Sequence, residues 1–233
     1  MTIKLYDLCG QDGRRFSPFC WRAKYALAHK GLAFETVPVG FGEISSIGDG
    51  SFKTVPVIED KGRFVGDSWA IAKYLDEAYP ETPPLFPSPE VEALSRFIES
   101  WQFSNVLRQV FPAYVTDIFA HVRDEDRDYF RESREKQLRT SPLEKLSEGR
   151  EEKLPGIRAA LYPLRMTLTN QHWLSGDTPG YADYLVLGTF LWLAGVAQLP
   201  PLEKDDPLVQ WIEKGRALYD GLGYSSPCNP LAA

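Results

Sequence analysis

Ser17-Pro18 joins a hydroxyl to the start of a predicted helix, and chemistry is first legible there. Serine is a favoured N-cap and proline a favoured first helical residue. Phe19, Ala23, Ala26 and Leu27 then recur at helical spacing until Lys30-Gly31 supplies a basic last turn and a glycine stop. The unpaired N–H groups and positive end of such a helix favour an anion beside the hydroxyl, a thiolate among them. A hydroxyl has one donor and two acceptor lone pairs, so Ser17 can cap the helix and aim its proton at a bound anion, or it can act as a cap alone. Asp67-Ser68 repeats the theme. A serine opening a helix offers a hydroxyl and free N–H groups to a carboxylate, and plain N-capping by the pair is the alternative.

Other reactive side chains are fewer. Cys9, Cys20 and Cys228 are an odd number with no Cys-x-x-Cys pair, which fits reduced thiols rather than a disulfide framework or a zinc site. Cys20 reads as a small core residue, whereas Cys9 in a loop could be reactive. His29, His121 and His172 lack ligand spacing, so no metal is expected. Gly10-Gln11-Asp12-Gly13 and Gly40-Phe41-Gly42 match neither a phosphate loop nor a dinucleotide fingerprint and read as turns.

The elements that must position these residues fall into two kinds. Ile3 to Leu8 alternates like a half-buried strand, the helix from Pro18 follows, and Phe34 to Val39 reads as a second strand, a βαβ opening. Val55-Pro56-Val57-Ile58-Glu59 and Arg63 to Gly66 flank Asp60-Lys61-Gly62 as a hairpin, and Ser68 to Leu75 resumes helical spacing. Pro80, Pro83, Pro84, Pro87 and Pro89 then make a stiff connection. Beyond it Ser88-Pro89 starts a helix with Val91, Leu94, Ile98 and Trp101 marking one buried face. Pro112 should bend or end that long helical stretch. The charged run from Arg123 to Lys136 reads as a solvated helix face and connection. Tyr184 to Ala197 is apolar all round and too short for a bilayer, so it is expected as the buried central helix of a bundle. Asp206-Pro207 starts a last helix with Leu208, Trp211, Ile212, Leu218 and Tyr219 facing inward.

With 233 residues, 43% hydrophobic and 25% charged, the chain can bury a sizeable core. A net charge of −6 argues against electrostatically driven binding of nucleic acid or an anionic membrane. No basic leader runs into an apolar stretch at the N-terminus, so a cytoplasmic protein without a signal peptide is expected.

The βαβ-ββα unit with Val-Pro before its hairpin, the proline-rich joint and the helical second half together resemble the cytosolic glutathione transferase superfamily. Ser17-Pro18-Phe19 with Trp21 to Leu27, and Asp67 to Asp76, look like the serine-type bacterial glutathione-dependent β-aryl etherases and their fungal etherase-like relatives. Gly176 to Tyr184 and Asp205-Asp206-Pro207-Leu208 extend the match. The resemblance implies an α/β thioredoxin-like N-terminal domain (1–79) holding glutathione, a proline-rich linker (80–89) and an all-α helical-bundle domain (90–233) forming the second-substrate pocket.

It also implies roles. Ser17 would stabilise the glutathione thiolate. Pro56 would be cis, turning the backbone of Val55 toward the cysteinyl part of glutathione, and Asp67 and Ser68 would hold the γ-glutamyl end. Relatives often carry Glu or Gln at the place of Asp67. Some branches use a tyrosine near the end of the first strand, but Tyr6, followed by Asp7-Leu8, is read as packing. Branches with cysteine in place of Ser17 form mixed disulfides. Many relatives set Ser or Thr three residues before the aspartate of the buried helix, where this chain has Gly180 before Asp183. Trp21, Trp101, Phe103, Phe111 and Tyr114 are candidates to stack on an aromatic substrate, with core packing as the alternative.

The implied reaction is thiolate attack on an aromatic electrophile, such as a lignin-type β-aryl ether that loses a phenolate, in a homodimer without metal. A non-catalytic carrier of aromatic ligands and a cysteine-dependent thiol transferase or glutathione lyase remain alternatives.

Overall fold

The computed structural model describes residues 2–233. Four strands form one mixed sheet in the order β2-β1-β3-β4. β1 (Ile3–Leu8) runs parallel to β2 (Phe34–Val39), with Ile3 opposite Phe34 and Leu8 opposite Val39, and α1 (Pro18–His29) connects them. β3 (Val57–Asp60) is antiparallel to both β1 and β4 (Arg63–Gly66). Lys61 and Gly62, both at positive φ, turn that hairpin. α2 (Ser68–Ala78) then packs back on α1.

The remaining chain is helical: α3 (Pro89–Trp101), α4 (Arg108–His121), α5 (Arg127–Leu138), α6 (Arg150–Ala160), α7 (Tyr162–Asn170), α8 (Tyr181–Val196) and α9 (Leu208–Gly221). This is the thioredoxin-like sheet domain followed by a helical domain that the sequence pattern implied. No helix among the described residues is long and apolar enough to cross a membrane.

Four local expectations are corrected. The face of α3 expected to be buried is not: Leu94 is 65% exposed and Val91, Ile98 and Trp101 are only half-buried, because the side of the helix turned inward is the one carrying the small, buried Ser95. Pro112 does not end its helix; α4 continues through it, and a wider π-type turn over Gln102–Leu107 lies just ahead. The last helix is regular only to Ala217, because Leu218 is extended and Tyr219 and Asp220 are left-handed at φ 52° and 57°. That turn carries the Tyr219 hydroxyl to the Tyr184 hydroxyl, 2.5 Å away, which itself lies 2.8 Å from Nδ1 of His29. The charged run is not simply solvated either: Asp126 and Phe130 are buried against the loop that follows β2.

α8 is buried along its whole length and carries the rest of the fold. Asp183 does what a capping serine would otherwise share. Its carboxylate accepts the Gly180 N–H at 3.0 Å and the N–H groups of Leu174 and Ser175 at 2.7 and 3.1 Å. α1 makes its most extensive helix contact with α8. Gly188 is the point of nearest approach, since a Cβ there would lie 2.5 Å from the Pro18 carbonyl oxygen. One heptad on, a Cβ at Gly195 would meet the Arg15 carbonyl oxygen at 3.3 Å, a tight contact that the loop must yield to by a few tenths of an ångström.

Gly188→Ala is therefore expected to lose about 1–3 kcal/mol of stability by overpacking, and Gly195→Ala to stay within about 1 kcal/mol of wild type. Urea unfolding of the two variants checks the contrast; equal midpoints would refute the packing assignment.

Candidate functional site

Topology brings the three sequence candidates to one end of the sheet, where the central strand β1 finishes and β3 begins. β1 ends at Leu8 and its loop leads into Ser17. In the antiparallel register Tyr6 faces Val57, so Val55-Pro56 lies alongside the end of β1, and Val57 faces Gly66, so Asp67 follows beside Pro56. The Asp67 N–H donates to the Pro56 carbonyl at 3.2 Å and closes that corner. The Val55-Pro56 bond is cis.

Ser17 is buried and extended, and its Oγ accepts the Cys20 N–H at 3.2 Å. Pro18 has no N–H to give, so the Phe19 N–H is the one first-turn donor with no partner among the described residues. The entry to α1 is braced from several sides. Arg14 Nη1 donates to the Gly195 carbonyl at 2.8 Å, the Arg15 N–H to Ser226 Oγ at 2.9 Å, and Trp21 Nε1 to the Arg15 carbonyl at 3.0 Å. Beneath it, the fully buried Asp7 carboxylate lies 2.7 Å from Lys24 Nζ and 3.5 Å from Arg15 Nε.

Val55 is buried, yet neither its N–H nor its C=O has a hydrogen-bond partner among the described residues. Buried main-chain groups are nearly always paired, so an unpaired donor and acceptor on one residue just before the central strand β3 suit a peptide-like ligand. Asp67 has φ 70°, and its Oδ1 accepts the N–H groups of Trp69 and Ala70 at 3.0 and 2.9 Å. A non-glycine residue in that conformation is strained and is held only by its surroundings. Because Asp67 caps those two donors, the Ser68 N–H and hydroxyl are left for an anion. The Ser68 carbonyl accepts the Tyr181 hydroxyl at 2.8 Å, which hangs the start of α2 on the start of α8. The strain at Asp67 had no signal in the sequence, whereas the free main chain of Val55 was implied by the resemblance through Val55-Pro56.

The aromatic candidates do not form one wall. Trp21 and Tyr114 are core residues, and the Tyr114 hydroxyl is committed to the Leu199 carbonyl at 3.0 Å. Phe103 is 63% exposed, Trp101 is half-buried, and Phe111 packs 6.3 Å from Trp192. The π-type turn between α3 and α4 breaks the common face that helical spacing would give these positions. A different aromatic path leaves the residue before Ser17. Phe16 lies 6.4 Å from Phe41, and Phe41 lies 6.2 Å from Tyr129 and 5.4 Å from Phe130. These rings come from separate segments, so no periodicity reveals them.

The thiols differ in environment. Burial pushes the Cys20 thiol far above its usual range, the Asp7 charge adds to this, and the nearby Ser17 hydroxyl only partly opposes it. Cys9 is also buried, with its Sγ 3.4 Å from the Gly10 carbonyl, while Cys228 is exposed. Among the described residues no three His, Cys, Asp or Glu side chains are grouped as a metal site would need.

Comparison with known proteins agrees with this geometry. Residues 13–83 match the model of the glutathione S-transferase N-terminal domain, and residues 93–211 that of the C-terminal domain. The chain is 28% identical to glutathione S-transferase omega-1 of Mus musculus over 218 residues, covering 90% of this chain and 75% of that one. A glutathione S-transferase of Ceriporiopsis subvermispora, solved in complex with glutathione, superposes with a TM-score of 0.80 at 28% identity over 97% of this chain and 99% of its own. Glutathione transferase GSTFuA3 of Phanerochaete chrysosporium does so with a TM-score of 0.75 at 26% identity, covering 95% and 92%.

A thiol reagent such as dithionitrobenzoate should therefore titrate Cys228 rapidly in the native protein and reach Cys9 and Cys20 only on denaturation. Rapid labelling of Cys9 or Cys20 in the folded state would contradict the burial assigned to them.

Proposed function

Because the chain belongs to the glutathione S-transferase family, we propose that it is a serine-type transferase in which Ser17 holds the thiol of glutathione as a thiolate for attack on an aromatic electrophile. The observation that carries this reading is the convergence of an N-capping hydroxyl, an unpaired Val55 main chain and the Asp67-Ser68 helix start at one end of the sheet. Ser17 keeps its capping bond through oxygen and donates its O–H as a hydrogen bond to the thiolate, whose own proton is lost to water. The free Phe19 N–H and the helix dipole favour the same charge. Val55 pairs with the cysteinyl backbone, and Pro56 shapes that end of the sheet. The Ser68 N–H and hydroxyl take the γ-glutamyl carboxylate, with Asp67 toward the ammonium. Residues 1–79 bind glutathione, 80–89 link, and 90–233 complete the second-substrate region of a cytoplasmic homodimer.

For a β-aryl ether the step balances simply. The thiolate forms a C–S bond at the carbon bearing the aryloxy group, the C–O bond breaks, and the phenolate leaves with the electron pair and is protonated from water. A phenolate departs without strong acid help, so the protein's work is to make, align and shield the nucleophile. The fungal structural relative solved in complex with glutathione supports the glutathione-binding part of this reading. A cysteine mechanism is less favoured, since the thiol nearest Ser17 is sealed and held protonated.

An O–H bond to a charged partner is worth about 1.5–3 kcal/mol, so Ser17→Ala should lower kcat/KM roughly tenfold to a hundredfold. The same change should cost about 0.5–2 kcal/mol of stability through the lost cap. Ser17→Asp keeps a capping oxygen but repels the thiolate, so it should melt near wild type and turn over poorly. The assay follows thioether and phenol release from a β-aryl ether with glutathione; full turnover by the aspartate variant would rule out the role given to Ser17.

A further inference from the structure

Arg134 carries a charge that the fold leaves without a counter-ion. Its guanidinium lies over Phe41 at 5.6 Å and over Phe130 at 4.9 Å, on the aromatic path that begins at Phe16 beside Ser17. Its one hydrogen bond among the described residues is from Nη1 to Ser133 Oγ at 3.2 Å, and Nε is buried with no partner. Neighbours on the same helix are provided for. Arg131 lies 3.4 Å from Glu135 and 2.7 Å from Glu144, and Arg127 donates to the Phe119 carbonyl at 3.2 Å.

Several other enclosed cations are matched by carboxylates, as Arg22 is by Glu99, Lys30 by Asp76, Arg150 by Asp117 and Arg165 by Asp206, while Arg14, whose Nε is likewise unpartnered, gives Nη1 to the Gly195 carbonyl. Asp126, close to Phe41 in space, is not a substitute partner. It is buried and accepts the N–H groups of Phe41 and Gly42 at 2.8 and 2.7 Å, fixing the loop that presents the Phe41 ring. Glu43 of that loop is taken by the Gly40 N–H and by Arg123, each at 2.6 Å.

A half-enclosed guanidinium without an anion is costly unless something supplies one, and its planar fork matches a carboxylate. Burial also lowers its pKa, with only Tyr129 opposing. Tyr129, 56% exposed, and the half-buried Phe41 leave ring surface beside it open to a guest.

We propose that Arg134 receives the anionic group, a carboxylate or phenolate, of an aromatic second substrate whose ring rests on Phe41 and Tyr129. This deepens the transferase reading and rests on it for the electrophile's identity. The aromatic faces hold the ring and orient the guanidinium, while the anion gives Arg134 the partner the fold omits. Substrates carrying a charge on the ring distal to the reacting carbon are selected over neutral ones. Arg134 acts in specificity and touches no reacting atom.

The test compares two probes that differ in charge alone, 2-naphthoate and 2-naphthamide, titrated calorimetrically into the full-length protein with and without saturating glutathione. Wild type is expected to bind the naphthoate about tenfold or more tightly than the amide. Arg134→Gln should abolish that preference and leave amide affinity within about twofold, Arg134→Lys should retain part of it, and the exposed Arg139→Gln should retain all of it. Melting curves establish that each variant is folded, and the wild-type preference stands as a test even if one is not. Equal affinities in wild type, or a preference that survives Arg134→Gln, would overturn the proposal and leave Arg134 as a structural clamp on Phe41 and Phe130. Because binding is read without turnover, a naphthoate preference with no thioether formation would sink the transferase reading and spare this one. Turnover of neutral aryl ethers with no preference would do the reverse.

Discussion

The close approach of α1 to α8 is the constraint on which the rest of the structure depends. Gly188 lets the Pro18 carbonyl seat directly on the buried helix, and Gly195 does the same for the loop that enters α1. The Tyr181 hydroxyl, at the first residue of α8, donates to the Ser68 carbonyl. Two helix N-termini, one with Ser17 and one with Asp67-Ser68, are thus fixed by one apolar rod whose own start is secured by Asp183. Because interiors are close-packed, this contact sets the position of both starts more firmly than the surface loops could. Catalytic geometry in the first domain is held by packing in the second.

That arrangement is what the proposed dual role of the Ser17 hydroxyl, cap and thiolate partner, relies on. Pro18 removes one first-turn donor and Ser17 satisfies another, so the positive end of α1 is reduced to the Phe19 N–H and the Ser17 proton. A thiolate placed there has few donors, each close, in a region that excludes water. Cys20, one turn on, is too enclosed to compete as a nucleophile, since its ionisation is opposed by burial and by Asp7. Serine at position 17 leaves the nucleophile on the co-substrate instead of on the protein.

Strand alternation, the Asp60-Lys61-Gly62 turn, both Ser-Pro helix starts and the all-apolar run of α8 were legible because each is local: a period, a cap or a glycine marks it. The departures come from tertiary partners. Pro112 stays helical behind a widened turn, Tyr219 turns left-handed toward Tyr184 and His29, and Asp126 folds a charged run inward to meet the amides of Phe41 and Gly42. The site divides in the same way. Ser17 and Asp67-Ser68 sit at helix starts that composition marks and the free main chain of Val55 was implied by the resemblance, whereas the path from Phe16 through Phe41 to Arg134 exists only once separate segments meet. Helical spacing pointed to Tyr114 and Trp21, which turned out to be enclosed, because a stripe of aromatic residues serves packing and binding with the same pattern.

The central claim is that Ser17 ionises the sulfur of bound glutathione, and its most direct test is a pH titration of that sulfur by thiolate ultraviolet absorbance in wild type and Ser17→Ala. A free cysteine thiol titrates near pH 8.5, so wild type should show the bound thiol ionising well below that, toward neutrality, with the alanine variant shifted back upward. A bound thiol that titrates at its free value in wild type, or that ignores the loss of the Ser17 hydroxyl, would contradict the account.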